Sequence, residues 1–327
     1  MKGNRIIGTG MGLPSRIVTN DDLAKIVDTT DEWIVSRTGI RERRIAEEHE
    51  TTSDFAAEAA KNALEMAGVG PEEVDLVIMA TLTPDRLIPA TACIVQSKIG
   101  AVNAACFDLE AACSGFVYGL AMANGMMPDQ GVKTALVIGG ETLSRVLDWS
   151  DRNTCVLFAD GAGAAVLRHE GGERGIISTY LKADGSAPPP WLAVDPGVAD
   201  LTPLGDQHSK DFAVRMMGRE VFKFGVRALP EAVTGALERA ERLTLKDIDM
   251  VIPHQANIRI IDSAAKALGI PRKKFFVNLE KYGNTSGGTI PIALDDANRQ
   301  GLIKEGDIVA LAGFGAGLTW GGAIIRW

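Results

Sequence analysis

Apolar residues along this chain gather into short unbroken runs that alternate with longer segments of helical spacing. The run at residues 74–79, VDLVIM, has strand length and almost no polar alternation, as expected of a strand covered on both faces. A similar run at 5–10 predicts a first buried strand, closed by Gly10 and Pro14. Asn20 predicts the cap of a short helix with Asp21 and Asp22 in its first turn, and a second helix is predicted from Asp31 to about Arg37, ahead of Gly39. Ser53 predicts the cap of an alanine-rich helix over 54–67, and Gly68 stands where a C-terminal helix glycine belongs. Strands alternating with helices in this way indicate an α/β fold.

The alternation repeats. Residues 56–80 read AAEAAKNALEMAGVGPEEVDLVIMA, and the segment ALERAERLTLKDIDMVIPH ending at residue 254 carries the same helix-then-strand pattern. Val74-Asp75-Leu76-Val77-Ile78 matches Ile248-Asp249-Met250-Val251-Ile252, and Phe107-Asp108-Leu109-Glu110 matches Val277-Asn278-Leu279-Glu280. Each second match leads through small residues and a helix to another strand, at 134–138 and at 308–312. The reading is a diverged internal duplication, joined near Gly171-Gly172-Glu173-Arg174-Gly175, with halves at 1–172 and 173–327. Superposing the halves brings Cys113 within a residue or so of Gly283-Asn284 and puts His254 just beyond the strand equivalent to 74–79. Such strand ends are where open α/β folds place their sites.

Composition narrows the function. The 327 residues suffice for two ordinary domains or one large α/β unit, and 46% hydrophobic with 23% charged residues is the balance of a soluble globular protein. A formal charge of -8 speaks against nucleic acid as a partner, because phosphate binding needs a basic face. Cys93, Cys106, Cys113 and Cys155 form no CxxC pair and have no His at metal spacing, which argues against a metal site. With no apolar run of signal-peptide or membrane-spanning length, the expectation is a cytoplasmic protein with reduced thiols and no membrane partner.

Within FDLEAACSGFVYG, residues 107–119, a predicted strand delivers Cys113 to the first turn of a predicted helix. A free thiol of pKa about 8.5 is only a few per cent thiolate at neutral pH. A helix N-terminus carries roughly half a positive charge and can lower that pKa. Small Ala111, Ala112, Ser114 and Gly115 leave room for a bulky reagent. On this stretch alone, a nucleophile and a small buried thiol are equally good readings.

His254 follows a buried strand and Pro253, with Gln255 and Asn257 beside it, a polar group costly to bury without partners. By contrast His49 and His169 lie among charges, and His208 in a loop. Asn284 sits in KYGNTSGGTIP, a turn between a strand and a helix, where a helix cap is the simpler reading of the motif alone. GFGAGLTWG, residues 313–321, is a glycine-rich turn whose backbone N–H groups can approach a ligand oxygen. Cys, His and Asn also occur together in papain-like hydrolases, but the cysteine signature of those enzymes is missing here.

Taken together, DEWIVSRTGIRER around Trp33, DLEAACSGF around Cys113, PHQANIRI around His254, YGNTSGG around Asn284 and the terminal GFGAGLTWG resemble the β-ketoacyl-acyl-carrier-protein synthase III family. The motifs occur in the right order, and the resemblance runs from Ile6 to Trp327. It implies the thiolase fold, an α/β architecture of two duplicated βα halves in five αβαβα layers, assembled as a homodimer. It also implies a reaction. Cys113 attacks an acyl-CoA thioester, backbone N–H groups of Cys113 and Ala316 hold the oxyanion, and CoA leaves. Malonyl-acyl-carrier protein then binds, and loss of carbon dioxide generates an enolate that attacks the acyl group. Neutral His254 and Asn284 donate hydrogen bonds to that enolate, donors of a kind worth about 3 to 4 kcal/mol each. No general base is needed, and CoA enters as a substrate, with no cofactor.

By the same resemblance Trp33 stacks on adenine with Arg152 on the other face, Arg37 and Thr38 lie near the nucleotide and its phosphates, and Asn257 lies near the pantetheine. Ile88, in RLIPATAC, matches the position that crosses the dimer to close the acyl pocket, where many relatives carry an aromatic. Lys223, Arg259 and Lys266 match the face that receives the acidic carrier protein, and Arg272-Lys273-Lys274 would extend it; such a patch steers encounter and is salt-sensitive. Gly287, Gly288 and Thr289 depart from the alanines or serines frequent in relatives, and each glycine loosens a helix start by about 1 kcal/mol. The expected function is the start of fatty-acid synthesis from a short acyl-CoA and malonyl-carrier protein. A polyketide- or quinolone-type condensing enzyme using the same Cys113, and an inert acyl-binding scaffold, stay open; a hydroxymethylglutaryl-type synthase fits Asn284 less well.

Overall fold

The computed structural model describes residues 3–128, 130–186, 191–195 and 212–327; His208 lies outside them. Two sheets carry the architecture. The first has five strands in the order Asn4–Gly12, Asp160–His169, Thr134–Thr142, Leu76–Ala80 and Ala105–Leu109. The second has four, in the order Gly175–Ala183, Thr319–Arg326, Ile308–Gly315 and Met250–Pro253. In each, two antiparallel pairings are followed by a parallel one. The fifth place of the second sheet shrinks to a single parallel bridge between Val251 and Phe275.

The unbroken apolar runs behave as their pattern predicts. Leu76–Ala80, Thr134–Thr142 and Ile308–Gly315 are buried at every position, because helices cover both faces of each sheet. The repeated aspartate has a repeated duty. Asp75 Oδ2 accepts the N–H groups of Lys133 and Thr134 at 2.8 and 3.0 Å, and Asp249 Oδ2 accepts that of Ile308 at 2.9 Å. Each carboxylate thereby aligns the start of the neighbouring strand.

Between the sheets lie two helices, Gly115–Met126 and Thr289–Arg299, each packed against strands of both. Helices Thr52–Ala67 and Thr91–Ile99 cover the outer face of the first sheet, and Gly218–Glu238 and Ile258–Leu268 that of the second. The layers are therefore α, β, α, β, α, the thiolase arrangement. Two helix starts fall one or two residues before their expected caps. Thr19 caps Asn20–Leu23 with Asp22, and Thr51 pairs with Asp54 at the start of Thr52–Ala67. Ser53 instead donates its hydroxyl to Asp85 at 2.6 Å, tying the helix to the loop that carries Ile88. Among the described residues, no helix is long and apolar enough to cross a membrane.

Candidate active site

Cys113 sits in the short 3-10 turn Ala112–Ser114, between the edge strand Ala105–Leu109 and the central helix Gly115–Met126. Ala112 takes φ +45°, a left-handed conformation that a non-glycine residue adopts at a cost. The turn presses against the end of strand Ile308–Gly315. A Cβ on Gly315 would stand 2.6 Å from the Cys113 nitrogen, so glycine is required there. The terminal glycine motif thus serves first to admit the backbone of the cysteine turn. Ser114 locks the turn by donating to the Ala111 carbonyl at 2.7 Å.

The thiol is not lowered as the helix position alone suggests. Burial pushes Cys113 up to about 12, Glu141 and Glu110 push the same way, and the Ser286 hydroxyl opposes them. At rest Cys113 is a neutral thiol, because loss of solvent outweighs the helix end. Glu141 lies outside the sequence motifs named above, and its signal in the sequence is a lone carboxylate in the apolar run ALVIGGET. It lies fully buried at the end of Thr134–Thr142. There it accepts hydrogen bonds from Thr83 Oγ1 at 2.6 Å, Thr81 Oγ1 at 3.0 Å, and the nitrogens of Thr83 and Leu82 at 3.0 and 3.1 Å. Burial nonetheless lifts its pKa to about 7.

His254 follows strand Met250–Pro253, and its N–H donates to the Ala312 carbonyl at 2.8 Å. Its ring packs edge-on to Phe314, with centroids 5.3 Å apart. Burial lowers its pKa to about 3, so the imidazole is neutral at physiological pH. Nδ1 lies 2.6 Å from Thr289 Oγ1. Asn284 is clamped by its backbone, donating to the Leu157 carbonyl at 3.0 Å and accepting from the Ala159 nitrogen at 2.9 Å. Its Oδ1 accepts the Ser286 N–H at 2.9 Å, so its NH2 group faces the cavity it lines.

Those three residues meet in one cavity of about 500 Å³. Of the other expected residues, Trp33, Arg37, Thr38, Arg152, Asn257 and Arg259 also line it. The guanidinium groups of Arg37 and Arg152 lie 4.3 and 5.2 Å from the Trp33 ring centroid. Arg152 is held by the Asp28 carbonyl at 2.8 Å, and Asn257 donates to the Arg37 carbonyl at 2.8 Å. The Thr38 hydroxyl is engaged within its helix, by the Ile34 carbonyl at 2.7 Å. Leu192, Met216, Phe222 and Phe224 supply an apolar wall that no sequence motif announced.

Arg43, from the motif around Trp33, is fully buried, which its place in a charged stretch of the sequence does not announce. It donates to Asn20 Oδ1 at 2.8 Å and to the carbonyls of Val156 and Val18 at 2.9 and 3.2 Å, fixing the wall beside Asn284. Burial lowers its pKa to about 10.

Ala316, Ile88, Lys223 and Lys266 are not among the residues that line the cavity, although Gly315 and Leu318, on either side of Ala316, are. Ala316 follows Gly315 at the tip of the terminal hairpin, and Ile88 is 86% exposed on its loop. Lys223 and Lys266 are exposed, and Lys223 pairs with Glu220 at 2.9 Å. Arg259 stacks over Phe222 at 5.6 Å. The expected extension is largely consumed within the fold: Arg272 pairs with Asp262, and Lys274 donates to the Ile248 carbonyl at 2.5 Å. Among the described residues, no group of His, Cys, Asp and Glu is arranged to hold a metal.

Known proteins resemble this chain over nearly its full length. Residues 107–185 match the family described as 3-oxoacyl-[acyl-carrier-protein] synthase III, and residues 237–327 its C-terminal part. The chain is 51% identical to the β-ketoacyl-[acyl-carrier-protein] synthase III of Clostridium acetobutylicum, covering 100% of this chain and 99% of that one. The crystal structure of the 3-oxoacyl-[acyl-carrier-protein] synthase III from Aquifex aeolicus superposes with a TM-score of 0.92 at 47% identity, over 99% and 100% of the two chains. The priming β-ketosynthase of the R1128 polyketide pathway superposes with a TM-score of 0.93 at 37% identity, over 99% and 96%. The chain belongs to the β-ketoacyl-[acyl-carrier-protein] synthase III family.

Proposed function

We propose that this protein condenses a short acyl-CoA with malonyl-acyl-carrier protein, releasing CoA and carbon dioxide and starting fatty-acid synthesis. The observation that carries the reading is the convergence of a buried thiol, a neutral imidazole and an amide NH2 group on one cavity whose wall includes Trp33, Arg37 and Arg152. CoA enters with adenine at Trp33 and Arg152, its phosphates near Arg37 and Thr38, and its pantetheine beside Asn257. Cys113 Sγ attacks the thioester carbon. The oxyanion accepts from the backbone N–H groups of Cys113 and Ala316, the C–S bond to CoA breaks, and the thiol proton ends on the departing CoA sulfur.

The second half-reaction uses the same floor. Malonyl-carrier protein docks on Lys223, Arg259 and Lys266, and its thioester oxygen receives hydrogen bonds from His254 and Asn284. Carbon dioxide leaves with the C–C bond broken, the enolate carbon attacks the acyl carbon on Cys113, and the acyl C–S bond breaks to release the 3-oxoacyl product and a Cys113 thiolate that takes a proton from water. Neutral donors suit this step, since an imidazolium at the same place would need a proton that burial disfavours. No metal or cofactor takes part.

The reading includes a division into halves 1–172 and 173–327, the first bringing Cys113 and the second His254 and Asn284. It also includes a cytoplasmic homodimer in which Ile88, exposed in the single chain, closes the partner's acyl pocket. A priming role in a specialised pathway is a second reading, favoured by the 37% identity to the R1128 enzyme. Purified protein, given a panel of acyl-CoAs and malonyl-carrier protein, should release carbon dioxide and 3-oxoacyl-carrier protein with short chains. A strict preference for another acyl group or acceptor would favour the second reading, and no product with any acyl-CoA would overturn both.

A further inference from the structure

The two N–H groups assigned to the oxyanion come from distant segments, Cys113 from the turn Ala112–Ser114 and Ala316 from the hairpin between strands Ile308–Gly315 and Thr319–Arg326. Their spacing therefore depends on how that hairpin sits on that turn. The backbones meet closely. A Cβ on Gly313 would stand 3.1 Å from the Cys113 carbonyl oxygen, and one on Gly315 2.6 Å from the Cys113 nitrogen. Close packing limits how near the two segments come, and the polar contacts beside it decide whether they stay there.

Thr319 supplies those contacts. It pairs with Gly315 where the hairpin closes, and its Oγ1 lies 2.7 Å from Ser114 Oγ, 2.9 Å from the Ala111 carbonyl and 3.0 Å from the Ala316 carbonyl. Ser114, fully buried, has its own Oγ 2.7 Å from the Ala111 carbonyl. Each hydroxyl has one proton to give. Two oxygens 2.7 Å apart are at hydrogen-bond distance and need a proton between them, so one proton lies between Ser114 and Thr319. If Ser114 donates to the Ala111 carbonyl, Thr319 donates to Ser114; if Ser114 donates to Thr319, the Thr319 proton goes on to Ala111 or Ala316. In either case at least one hydrogen bond crosses from the hairpin to the cysteine turn. The turn it grips contains Ala112 at φ +45°, a conformation that needs such support.

We propose that Thr319 is a positioning residue that, through Ser114, fixes the spacing of the Cys113 and Ala316 N–H groups and thereby the strength of the oxyanion hole. The proposal rests on the reading that those two groups hold the oxyanion. Donors of this kind act when both reach one oxygen at about 2.7–3.1 Å, so a hairpin free to lift from the turn loses the second donor while the thiol and the cavity wall stay in place.

The test compares Thr319→Val, which removes the hydroxyl at similar shape, with Thr319→Ser, which keeps it. Single-turnover release of CoA from acetyl-CoA should slow by at least about tenfold in Thr319→Val, with the half-saturating acetyl-CoA concentration within about twofold of wild type, and Thr319→Ser should stay within about threefold of the wild-type rate. Thr319→Ala, smaller and also without a hydroxyl, should repeat the valine result, which separates loss of the hydroxyl from crowding by the extra methyl group. Infrared spectra give the readout that a purely structural role would not move. The carbon-13 acetyl carbonyl on Cys113 should absorb at lower frequency in the wild type than in a free thioester, because two donors polarise it. In Thr319→Val and Thr319→Ala the band should shift back upward, and in Thr319→Ser it should not. An unshifted band in both hydroxyl-free variants, or equal slowing in Thr319→Ser, would overturn the proposal. A wild-type band already at the free-thioester frequency would mean that the oxyanion assignment itself fails, and the proposal with it.

Discussion

Glu141 gives the sharpest test of the electrostatics beneath Cys113. Its folded pKa of about 7 stands against an ordinary 4.5, and both its oxygens are out of solvent. The folded chain therefore holds that proton more tightly than the unfolded chain. The stability it contributes is fully present below about 4.5 and is lost as the pH rises through about 7. A difference of that size corresponds to about 3 kcal/mol, taking about 1.4 kcal/mol per pH unit. His254 works in the opposite sense. Its folded pKa of about 3 against 6.5 gives stability that is present above 6.5 and lost as the pH falls through about 3. Between 4.5 and 6.5 the two slopes oppose each other, so the wild-type curve hides both.

Substituting Glu141→Gln removes one of the two. Threonine hydroxyls and backbone N–H groups still find a carbonyl oxygen at the side chain, and the titration is gone. Urea unfolding from pH 4.5 to 8 should show the stability of Glu141→Gln rising by about 3 kcal/mol relative to wild type across that range. The same change removes a negative charge that pushes Cys113 upward. Iodoacetamide should therefore alkylate Cys113 faster in the variant at pH 8. Parallel stability curves for the two proteins would refute the reasoning, because they would mean that Glu141 titrates alike in the folded and unfolded chains.

Other expectations concern the two substrates. Asn284→Ala, which removes one of the two proposed enolate donors, should lower the condensation rate by about a hundred- to a thousandfold while the burst of CoA release survives; equal loss of both would contradict the assignment. Trp33→Ala should weaken acyl-CoA binding by about 1–3 kcal/mol, seen as a raised KM for acyl-CoA with that for malonyl-carrier protein unchanged. The double change Lys223→Glu and Arg259→Glu should raise the KM for carrier protein at low salt, and the difference from wild type should shrink as ionic strength rises; an effect independent of salt would argue against that face.

Much of the fold can be read from the chain because burial on both faces leaves a local trace. Residues 74–79 and 308–312 are apolar without alternation, and Asp75 and Asp249 recur because each must pair with backbone N–H groups of the next strand. The candidate site is legible where small residues surround a reactive one, as at Cys113, or where polar residues follow a buried strand, as at His254. What the chain conceals depends on distant segments meeting. The upward shift of Cys113 arises because the second sheet closes over it, and Gly315, 202 positions away in sequence numbering, supplies that cover. Leu192 and Met216 reach the cavity from an antiparallel pair with no motif of its own. The caps at Thr19 and Thr51 were hidden by Asn20 and Ser53, equally good cap residues whose side chains serve other partners, Asp31 and Asp85.

The central claim is that Cys113 carries the acyl group between the two half-reactions. Mass spectrometry of the protein after brief exposure to acetyl-CoA, followed by peptide mapping, tests it most directly. The account predicts one acetyl group per chain on the peptide containing Cys113, discharged when malonyl-carrier protein is added and absent in Cys113→Ala. An acetyl group on another residue, or an acetylated Cys113 that malonyl-carrier protein leaves untouched, would contradict it.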